Sequence, residues 1–566
     1  MHGRVKVKTT EEQAEAKKKE RQQKLKKFEE LTNTIYRKRG TGELDSDMLQ
    51  LTQHVLSANP DYYTLWNIRR ETMDKLVQAN SADVGELYGR ELRFLESCLQ
   101  VNPKSYSVFL QRRWVMTRHP SPDWKSELSL CDTFLRYDER NFHCWDYRRF
   151  VVKQAGIGVQ DEFEFTDKKI KSNFSNYSAW HYRSKLLPKV YPDLSNKERP
   201  TEDALLAEHQ YVQNAFFTDP SDQSAWFYHR WLLGRTYVSC DILCAHVSSE
   251  KDSKLVLSIS LCQPLEAPDK YLKVMVNQAA ADCVWHSLDV PAQWPALVWS
   301  TSLKVSELTI WPLSIEIQNG NHNVVLLLND GHREAWWVNV KKGDGGVAQL
   351  TIATAAVLQE ELESCKQLAE LEPDNKWTLL TLVFLMRCLN MRTYFSDIIT
   401  LLHKLESIDS YRSGYFRDLK NCCVVEKQIH SFYQDIATAS KETSCRKLSF
   451  SKLNLVRLID AHQLCLVTEL DISHNQLTDL RGCQCIQCLE HLNADDNKLE
   501  KIGCSLGHLP RLSLVSLRNN RLSTLASLHG VLQLENTTLL LQGNSLLNSD
   551  DVVSELNRSF PGARVE

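Results

Sequence analysis

Hydrophobic positions follow three different periods along this 566-residue chain, and each period predicts a different kind of structure. Residues 1 to about 240 place apolar side chains three or four positions apart, which predicts amphipathic helices. From about 242, apolar runs alternate with polar positions between Pro, Gly, Asn and Asp, which predicts antiparallel strands. Helical spacing returns after about 346, and a leucine-rich pattern begins at about 443. The chain is therefore expected to contain several domains.

A short aromatic motif recurs in the first helical region and predicts a repeat. Each copy has an aromatic anchor residue that is followed by Arg three or four positions later. The five predicted anchors are Trp66, Phe109, Trp145, Trp180 and Trp226. They stand 43, 36, 35 and 46 residues apart, which suits one helical hairpin per repeat. Because one hairpin cannot bury its own apolar face, the hairpins are expected to stack into a curved superhelix.

Asn-Pro or Asp-Pro precedes the anchor in several copies. We expect this pair to begin the second helix of the hairpin, because Asn or Asp can cap the first amides and Pro tolerates the first turn. A similar segment, Glu372-Pro373-Asp374-Asn375-Lys376-Trp377, follows the β-rich region and predicts one more, degenerate anchor at Trp377. Helical repeats therefore resume after the strands, which indicates that the strands form an insertion.

The β-rich region predicts an antiparallel β-sandwich of immunoglobulin-like size. Its predicted strands are Lys254–Leu261, Tyr271–Val276, Leu313–Ile317, Val324–Leu328 and Trp336–Val340. The last region matches the leucine-rich-repeat pattern, with the ladder asparagines Asn475, Asn497, Asn520 and Asn544 separated by 22, 23 and 24 residues.

The predicted fold is thus an α-helical hairpin-repeat crescent (an α-α superhelix) with an inserted β-sandwich and C-terminal leucine-rich repeats. The predicted domains are 1–241 (helical repeats), 242–346 (sandwich), 347–442 (second part of the helical domain) and 443–566 (leucine-rich repeats).

Charge and cysteine content narrow the class of protein. Lys and Arg total 68 against 71 Asp and Glu, a net charge of −3, so the chain lacks the basic field that nucleic-acid binding needs. The N-terminus carries no apolar signal-peptide core, so the 17 cysteines are expected to be reduced thiols in the cytoplasm. No apolar stretch is long enough to span a bilayer, and direct membrane insertion is not expected. The basic segment from Arg4 to Lys27 alternates in sign and predicts a solvated helix.

Signatures of catalysis by this chain alone are lacking. The sequence has no P-loop, no dinucleotide-binding glycine motif, no zinc-protease motif and no nucleophile elbow. The cluster Cys483-Gln484-Cys485-Ile486-Gln487-Cys488 lies between leucine-rich frames, where cysteine is expected to fill the core. No metal site is predicted in this chain. His2, near the N-terminus, could reach a metal held by a partner or be an ordinary exposed histidine.

The residues just before two anchors are the candidate binding site. Lys104 and Tyr106 precede Phe109, and His143 precedes Trp145. At the start of a helix, such side chains and the free amides can bind phosphate oxygens. The spacing alone is also compatible with a solvated Lys104 and a buried, hydrogen-bonded His143.

The repeats resemble those of protein prenyltransferase α subunits, whose N-Y-x-x-W-x-x-R element appears as Asn176-Tyr177-Ser178-Ala179-Trp180-His181-Tyr182-Arg183. The inserted sandwich and leucine-rich repeats resemble the branch of this family that modifies Rab GTPases. The resemblance implies a transferase acting as a heterodimer. A β subunit would hold the zinc, and geranylgeranyl diphosphate would bind at the subunit interface. Rab escort protein would present the C-terminal cysteines of Rab GTPases.

The resemblance also assigns roles to the candidate residues. Lys104 and Tyr106 match the family's P-K-x-Y element and His143 its N-Y-H-x-W element, and both elements lie near the diphosphate. Ser107 stands where relatives that bind a CaaX carboxylate have Gln, and Phe142 replaces Tyr. The alternative is a non-catalytic adaptor that uses its helical and leucine-rich repeats to bind proteins.

Overall fold

The computed structural model describes most of the chain. The described residues are 11–79, 83–194, 199–235, 241–249, 254–290, 294–304, 311–320, 322–339, 350–438, 445–504, 506, 509–531, 537–548 and 564–565. His2 and Arg4 lie outside them. The chain divides into two compact units, residues 1–204 and 205–566, which are described separately below. No helix in the described ranges is long and apolar enough to cross a membrane.

The first unit consists of helices joined by short turns. They are α1 (Glu11–Gly40), α2 (Ser46–Ala58), α3 (Tyr63–Gln78), α4 (Val84–Val101), α5 (Tyr106–Arg118), α6 (Trp124–Tyr137), α7 (Phe142–Ala155), α8 (Val159–Ser172) and α9 (Tyr177–Val190). Helices α2 to α9 form four consecutive hairpins. The basic segment from Lys18 to Lys27 lies in the first half of α1 with its side chains exposed.

The aromatic anchors are buried in the second helix of each hairpin. Trp66, Trp145 and Trp180 are at most 1% exposed and Phe109 is 6% exposed. Each Trp indole N–H donates to the carbonyl oxygen six residues earlier, at 2.8 Å in all three cases. The ring therefore packs in the core, and its one polar group is bonded to the turn before its own helix.

The expectation that Asn-Pro begins the second helix is wrong. Asn59 and Asn102 are instead the C-cap residues of α2 and α4, and Pro60 and Pro103 lie in the turns that follow. Proline disfavours helical geometry at the residue before it, so it helps to end the first helix. The Asn side chain accepts a hydrogen bond from the amide two residues later, for example Lys104 N–H to Asn102 Oδ1 at 3.2 Å, which forms the turn.

Buried ion pairs connect successive hairpins. The arginine three residues after Trp66, Phe109 and Trp145 donates two hydrogen bonds to a glutamate in the first helix of the next hairpin. The pairs are Arg69–Glu91, Arg112–Glu127 and Arg148–Glu162, and all six residues are less than 5% exposed. The same glutamate accepts from a residue of its own hairpin, as Glu127 does from the Tyr147 hydroxyl at 2.7 Å. The W-x-x-R pattern thus fixes how neighbouring hairpins stack.

The second unit begins within α10 (Glu202–Thr218), which runs across the boundary. Its other helices are α11 (Gln223–Leu233), α12 (Pro268–Tyr271), α13 (Ile352–Leu371), α14 (Lys376–Asn390), α15 (Phe395–Ile408) and α16 (Ser413–Thr438). The hairpins α10/α11 and α13/α14 continue the pattern of the first unit, and Trp226 is fully buried in α11.

The predicted degenerate anchor at Trp377 is wrong by two residues. In the earlier hairpins the anchor is four residues after the N-cap, as Trp145 is after Asn141 and Trp226 after Asp222. The N-cap of α14 is Asn375, so the anchor position is Leu379, which is 3% exposed. The nearby Trp377 resembles an anchor in the sequence because the anchor position itself, Leu379, carries no aromatic ring.

Nine strands of the second unit form two antiparallel sheets. They are β1 (Ile242–Ser249), β2 (Lys254–Leu265), β3 (Leu272–Val276), β4 (Ala279–Ala280), β5 (His286–Ser287), β6 (Ala296–Lys304), β7 (Leu313–Asn319), β8 (His322–Leu328) and β9 (Glu334–Val338). The strand orders are β5-β6-β2-β1-β9 and β4-β3-β7-β8. Leu257 and Ile259 of the first sheet share one core with Ile315 and Leu326 of the second.

Two central strands, β1 and β6, were not predicted. The first seven residues of β1 are all buried, including the polar His246 and Ser248, so its sequence does not alternate as a half-exposed strand would. Ala245 and Val247 pack in the core between the two sheets, whereas Cys244 packs with residues from the C-terminal region. The strand is therefore covered on both faces.

The C-terminal region forms a parallel sheet of short strands, one per turn of the chain. The strands are β10 (Lys447–Ser449), β11 (Glu469–Asp471), β12 (His491–Asn493), β13 (Leu514–Ser516), β14 (Thr538–Leu540) and β15 (Arg564–Val565). Between them, buried asparagines bond backbone groups of adjacent turns. Asn497, for example, donates to Ile472 O at 3.0 Å and accepts from Leu477 N–H at 3.0 Å. Cys483, Cys485 and Cys488 are buried in this region.

A buried charge cluster joins β9 to the parallel strands. Glu334 accepts hydrogen bonds from Arg446 and Arg511, and its Oε2 lies 3.0 Å from His246 Nε2. Burial opposes protonation of His246, but Cys488 and Glu334 beside it outweigh this effect and raise its pKa to about 9.

We expect this cluster to make the free energy of unfolding fall at alkaline pH. Because the folded-state pKa of His246 is raised, its contribution is fully present below the unfolded pKa of about 6.5 and is lost as pH rises through about 9. The loss should be about 1–3 kcal/mol. Thermal unfolding between pH 6 and pH 9.5 measures it, and His246→Asn should flatten the dependence. An equal pH dependence in both proteins would contradict this assignment.

Candidate functional site

The structure brings the three predicted binding residues together at the start of two helices. Lys104 lies in the turn before α5, Tyr106 is the first residue of α5, and His143 is the second residue of α7. The rings of Tyr106 and His143 have their centroids 5.8 Å apart, and His143 also stacks near the Phe109 anchor at 6.5 Å. Consecutive hairpins therefore present these side chains as one cluster.

The Lys104 ammonium is exposed but has an acidic neighbour. Its side chain is 66% exposed, and its Nζ lies 3.0 Å from Asp138 Oδ2. An exposed pair of this kind contributes little to stability, so the ammonium can exchange its partner at low cost. An incoming anion would compete with a single carboxylate for Lys104.

The N-terminus of α5 has amides that its N-cap does not satisfy. The N-cap residue, Ser105, makes no capping hydrogen bond, because its hydroxyl donates to Asp61 Oδ1 at 2.6 Å instead. In α7, by contrast, the N-cap Asn141 accepts from the Cys144 amide. The first turn of α5 thus combines free N–H groups and the positive end of the helix dipole with Lys104, an arrangement that suits phosphate oxygens.

His143 is half-buried, and its environment favours the neutral imidazole. Burial lowers the pKa of His143, and the positive charge of Lys104 adds to this effect. The carboxylates of Asp146 and Asp61 act in the opposite direction without reversing it. A neutral imidazole carries one N–H, so His143 can donate a hydrogen bond without adding charge.

Exposed aromatic residues recur at one position of the repeat, including Tyr106 of this cluster, and the sequence did not predict them as a set. The residue three positions before the anchor is aromatic in four consecutive hairpins and is 46 to 65% exposed in each. These residues are Tyr63, Tyr106, Phe142 and Tyr177. The register of the repeat was a signal that could have found them. Exposed rings at equivalent positions are typical of a surface that contacts a ligand or another protein.

The helical hairpins define the class of protein. The model of the protein prenyltransferase alpha subunit repeat matches residues 45–76, 88–119, 124–155, 159–190 and 205–236. Each match contains one of the five anchors, so the matched hairpins are those described above.

Two relatives match the chain over nearly its whole length. It is 43% identical over 580 residues to the geranylgeranyl transferase type-2 subunit alpha of Mus musculus, covering 99% of both chains. It is 42% identical over 580 residues to the protein of that name from Homo sapiens, again covering 99% of both. The chain belongs to the family of geranylgeranyl transferase type-2 α subunits.

Among solved structures, the chain is similar to Candida albicans protein geranylgeranyltransferase-I complexed with GGPP. The TM-score is 0.32 and the identity 22%, covering 37% of this chain and 67% of the other. This structural similarity is too low to support an inference about function.

Proposed function

We propose that this chain is the α subunit of a heterodimeric protein geranylgeranyltransferase. The heterodimer transfers geranylgeranyl from geranylgeranyl diphosphate to C-terminal cysteines of Rab GTPases, which Rab escort protein presents in the cytoplasm. The observation that carries the proposal is the similarity over 99% of both chains to relatives named geranylgeranyl transferase type-2 subunit alpha.

The cluster at α5 and α7 supports a role at the diphosphate. Lys104, the amides at the start of α5, the Tyr106 hydroxyl and the His143 imidazole are all donors, and they face one region of the surface. As the carbon–oxygen bond to the diphosphate breaks, negative charge grows on the leaving group. Donors fixed near that charge stabilise the transition state more than the ground state.

The zinc is assigned to the partner β subunit. One Lys, one Tyr and one half-buried His do not make a zinc ligand set, so this cluster does not fit the metal. When bound by the β subunit, zinc supplies a thiolate nucleophile from the substrate cysteine. This chain contributes donors to the leaving group from the other side of the interface, and it is expected to be inactive alone.

We also propose the finer architecture of the second unit. The two antiparallel sheets with a shared core support an inserted immunoglobulin-like sandwich. Parallel strands at intervals of 22 to 26 residues, with buried asparagines Asn475, Asn497, Asn520 and Asn544 after four of them, support leucine-rich repeats. Neither of them supplies a residue to the proposed diphosphate cluster.

Co-expression with a prenyltransferase β subunit tests the assembly. We expect a stable 1:1 complex that transfers labelled geranylgeranyl to a Rab protein when escort protein is present, whereas this chain alone transfers none. A chain that binds Rab or escort protein but forms no complex with the β subunit would favour the adaptor alternative.

A further inference from the structure

The series of buried Arg–Glu pairs that joins successive hairpins is interrupted at the junction between α11 and α13, where the partner of the buried glutamate is not an arginine. The first helix of each hairpin from α4 onward carries a buried glutamate 18 residues before the anchor position. These glutamates are Glu91, Glu127, Glu162, Glu208 and Glu361, where the anchor position of the last hairpin is Leu379. Glu361, on α13, is completely buried.

The arginine that this register predicts opposite Glu361 is absent. The residue three positions after the anchor is Arg in the first four hairpins, but in the fifth, after Trp226, it is His229. His229 Nε2 lies 2.7 Å from Glu361 Oε1. An imidazole, which has no fixed charge, therefore stands where the other junctions have a permanent cation.

A second histidine occupies a position that is apolar elsewhere in the repeat. The residue 17 positions before the anchor is Leu or Phe in the other hairpins: Leu49, Leu92, Leu128, Phe163 and Leu362. In α10 it is His209, which is 1% exposed and whose Nδ1 lies 3.4 Å from Glu361 Oε2. The two imidazole rings are 5.4 Å apart and nearly perpendicular. The same hairpin thus departs from the repeat twice, and both departures face one carboxylate.

The donor that Glu361 would receive from its own hairpin is also missing. The residue two positions after the anchor is Gln111, Tyr147 or Tyr228 in earlier hairpins, and each donates to the local glutamate. In α14 this position is Thr381, whose buried hydroxyl has no hydrogen-bond partner in the described structure. A shorter side chain at this position leaves the lone pairs of Glu361 without that donor.

The three polar groups converge on one point, and although His229 Nε2 and Glu361 Oε1 are only 2.7 Å apart, the imidazole N–H directions are not aligned with the carboxylate. Nδ1 of His209, both ring nitrogens of His229 and both carboxylate oxygens of Glu361 lack a hydrogen-bond partner among the described residues. One ligand atom from each residue lies within 4.8 Å of the others. Ligands of a tetrahedral ion with bonds of about 2.0–2.1 Å are separated by roughly 3.3 Å, which is close to the 3.4 Å between His209 and Glu361. The 2.7 Å between His229 and Glu361 is shorter, so these two side chains must move apart when the ion binds.

We propose that His209, His229 and Glu361 bind a divalent transition-metal ion, with zinc as the first candidate, at the junction between α10, α11 and α13. Two imidazole nitrogens and one carboxylate are ligands that zinc prefers. The ion supplies the positive charge that arginine provides at the other junctions. Its role is structural, because the ligands are at most 1% exposed.

A second cluster also has ligand types that suit a metal ion, but its surroundings make it a poorer site than the cluster at Glu361. His246, Glu334 and Cys488 also lie within 4.8 Å of one another. There, however, Glu334 is already bonded to the guanidinium groups of Arg446 and Arg511. Two fixed positive charges oppose the binding of a cation. At Glu361 the groups within ion-pair distance are imidazoles only, among the residues that the structure describes.

Metal analysis of the full-length chain, purified without a β subunit and dialysed against chelator resin, tests the proposal. We expect about one zinc ion per chain by mass spectrometry, retained through dialysis because the site is buried. The double variant His209→Leu/His229→Arg restores the residue types of the other junctions. It should fold, because its new guanidinium can pair with Glu361 in place of the ion. It should contain less than about a tenth of the wild-type zinc.

Cys488→Ser is the matched control, since it removes a ligand from the second cluster only. It should keep the wild-type zinc content. Cobalt substitution gives an independent readout, because tetrahedral Co²⁺ bound by the wild type should show visible absorption that the double variant lacks. Wild-type protein without stoichiometric metal would overturn the proposal. Zinc lost from Cys488→Ser but retained by the double variant would overturn it as well.

Discussion

Replacing Lys104 with alanine is expected to slow geranylgeranyl transfer by the heterodimer about 10- to 100-fold without weakening subunit assembly. The ammonium is 66% exposed and its one ion pair is with Asp138, so the fold does not depend on it. Its loss removes positive charge beside the uncapped start of α5, where the departing diphosphate is proposed to bind. Single-turnover transfer with saturating substrate measures the effect on the chemical step.

Lys171→Ala is the matched control for this change. Lys171 is 65% exposed and pairs with an aspartate, Asp167, at 2.8 Å, so it resembles Lys104 in exposure and pairing but lies elsewhere. It should transfer at the wild-type rate, and Lys104→Arg should keep most of the activity. Equal rates for Lys104→Ala and Lys171→Ala would show that Lys104 is only a solvated surface residue.

Replacing Arg112 with alanine is expected to lower the free energy of unfolding by about 3–5 kcal/mol, because it leaves Glu127 buried without its cation. Arg112 donates to both oxygens of Glu127 at 2.7 and 2.6 Å, and the two side chains are each 5% exposed. Hydrogen exchange of peptides from α5 and α6 reports this loss locally, which matters in a chain with several domains.

The double variant Arg112→Leu/Glu127→Leu distinguishes the cost of an unpaired buried charge from the loss of side-chain packing. Removing both partners should restore part of the lost protection, since no charge remains buried, although the Tyr147 hydroxyl loses its acceptor. Lys171→Ala, which breaks an exposed pair, should change the free energy of opening by less than about 1 kcal/mol. If Arg112→Ala behaved like Lys171→Ala, the series of buried Arg–Glu pairs would not be what holds the hairpins together.

The helical repeat could be predicted from the sequence because each hairpin carries the same few strongly constrained residues. An aromatic anchor followed by an arginine or histidine three positions later repeats at 35 to 46 residues, and the resemblance to prenyltransferase α subunits that this pattern suggested is confirmed by the family match. Strand β1 could not be found this way, since a strand covered on both faces has no alternating pattern. The residue type at Trp377 suggests an anchor there, but the N-cap at Asn375 places the anchor position two residues later.

The two candidate sites also differ in how far the sequence predicts them. Lys104, Tyr106 and His143 were selected from two local motifs, and the structure places them together because consecutive hairpins stack in register. The cluster of His209, His229 and Glu361 was not predicted. Its third member lies beyond strands β1 to β9, and only the corrected anchor at Leu379 shows that Glu361 belongs to the series of buried glutamates.

Transfer of labelled geranylgeranyl by the purified heterodimer tests the proposed activity. The assay contains this chain with a prenyltransferase β subunit, geranylgeranyl diphosphate, a Rab protein and Rab escort protein, and each component is omitted in turn. We expect incorporation at the Rab C-terminal cysteines by the complete mixture only, with none when either subunit is left out. A stable heterodimer that transfers no label, or equal transfer by the β subunit alone, would contradict it.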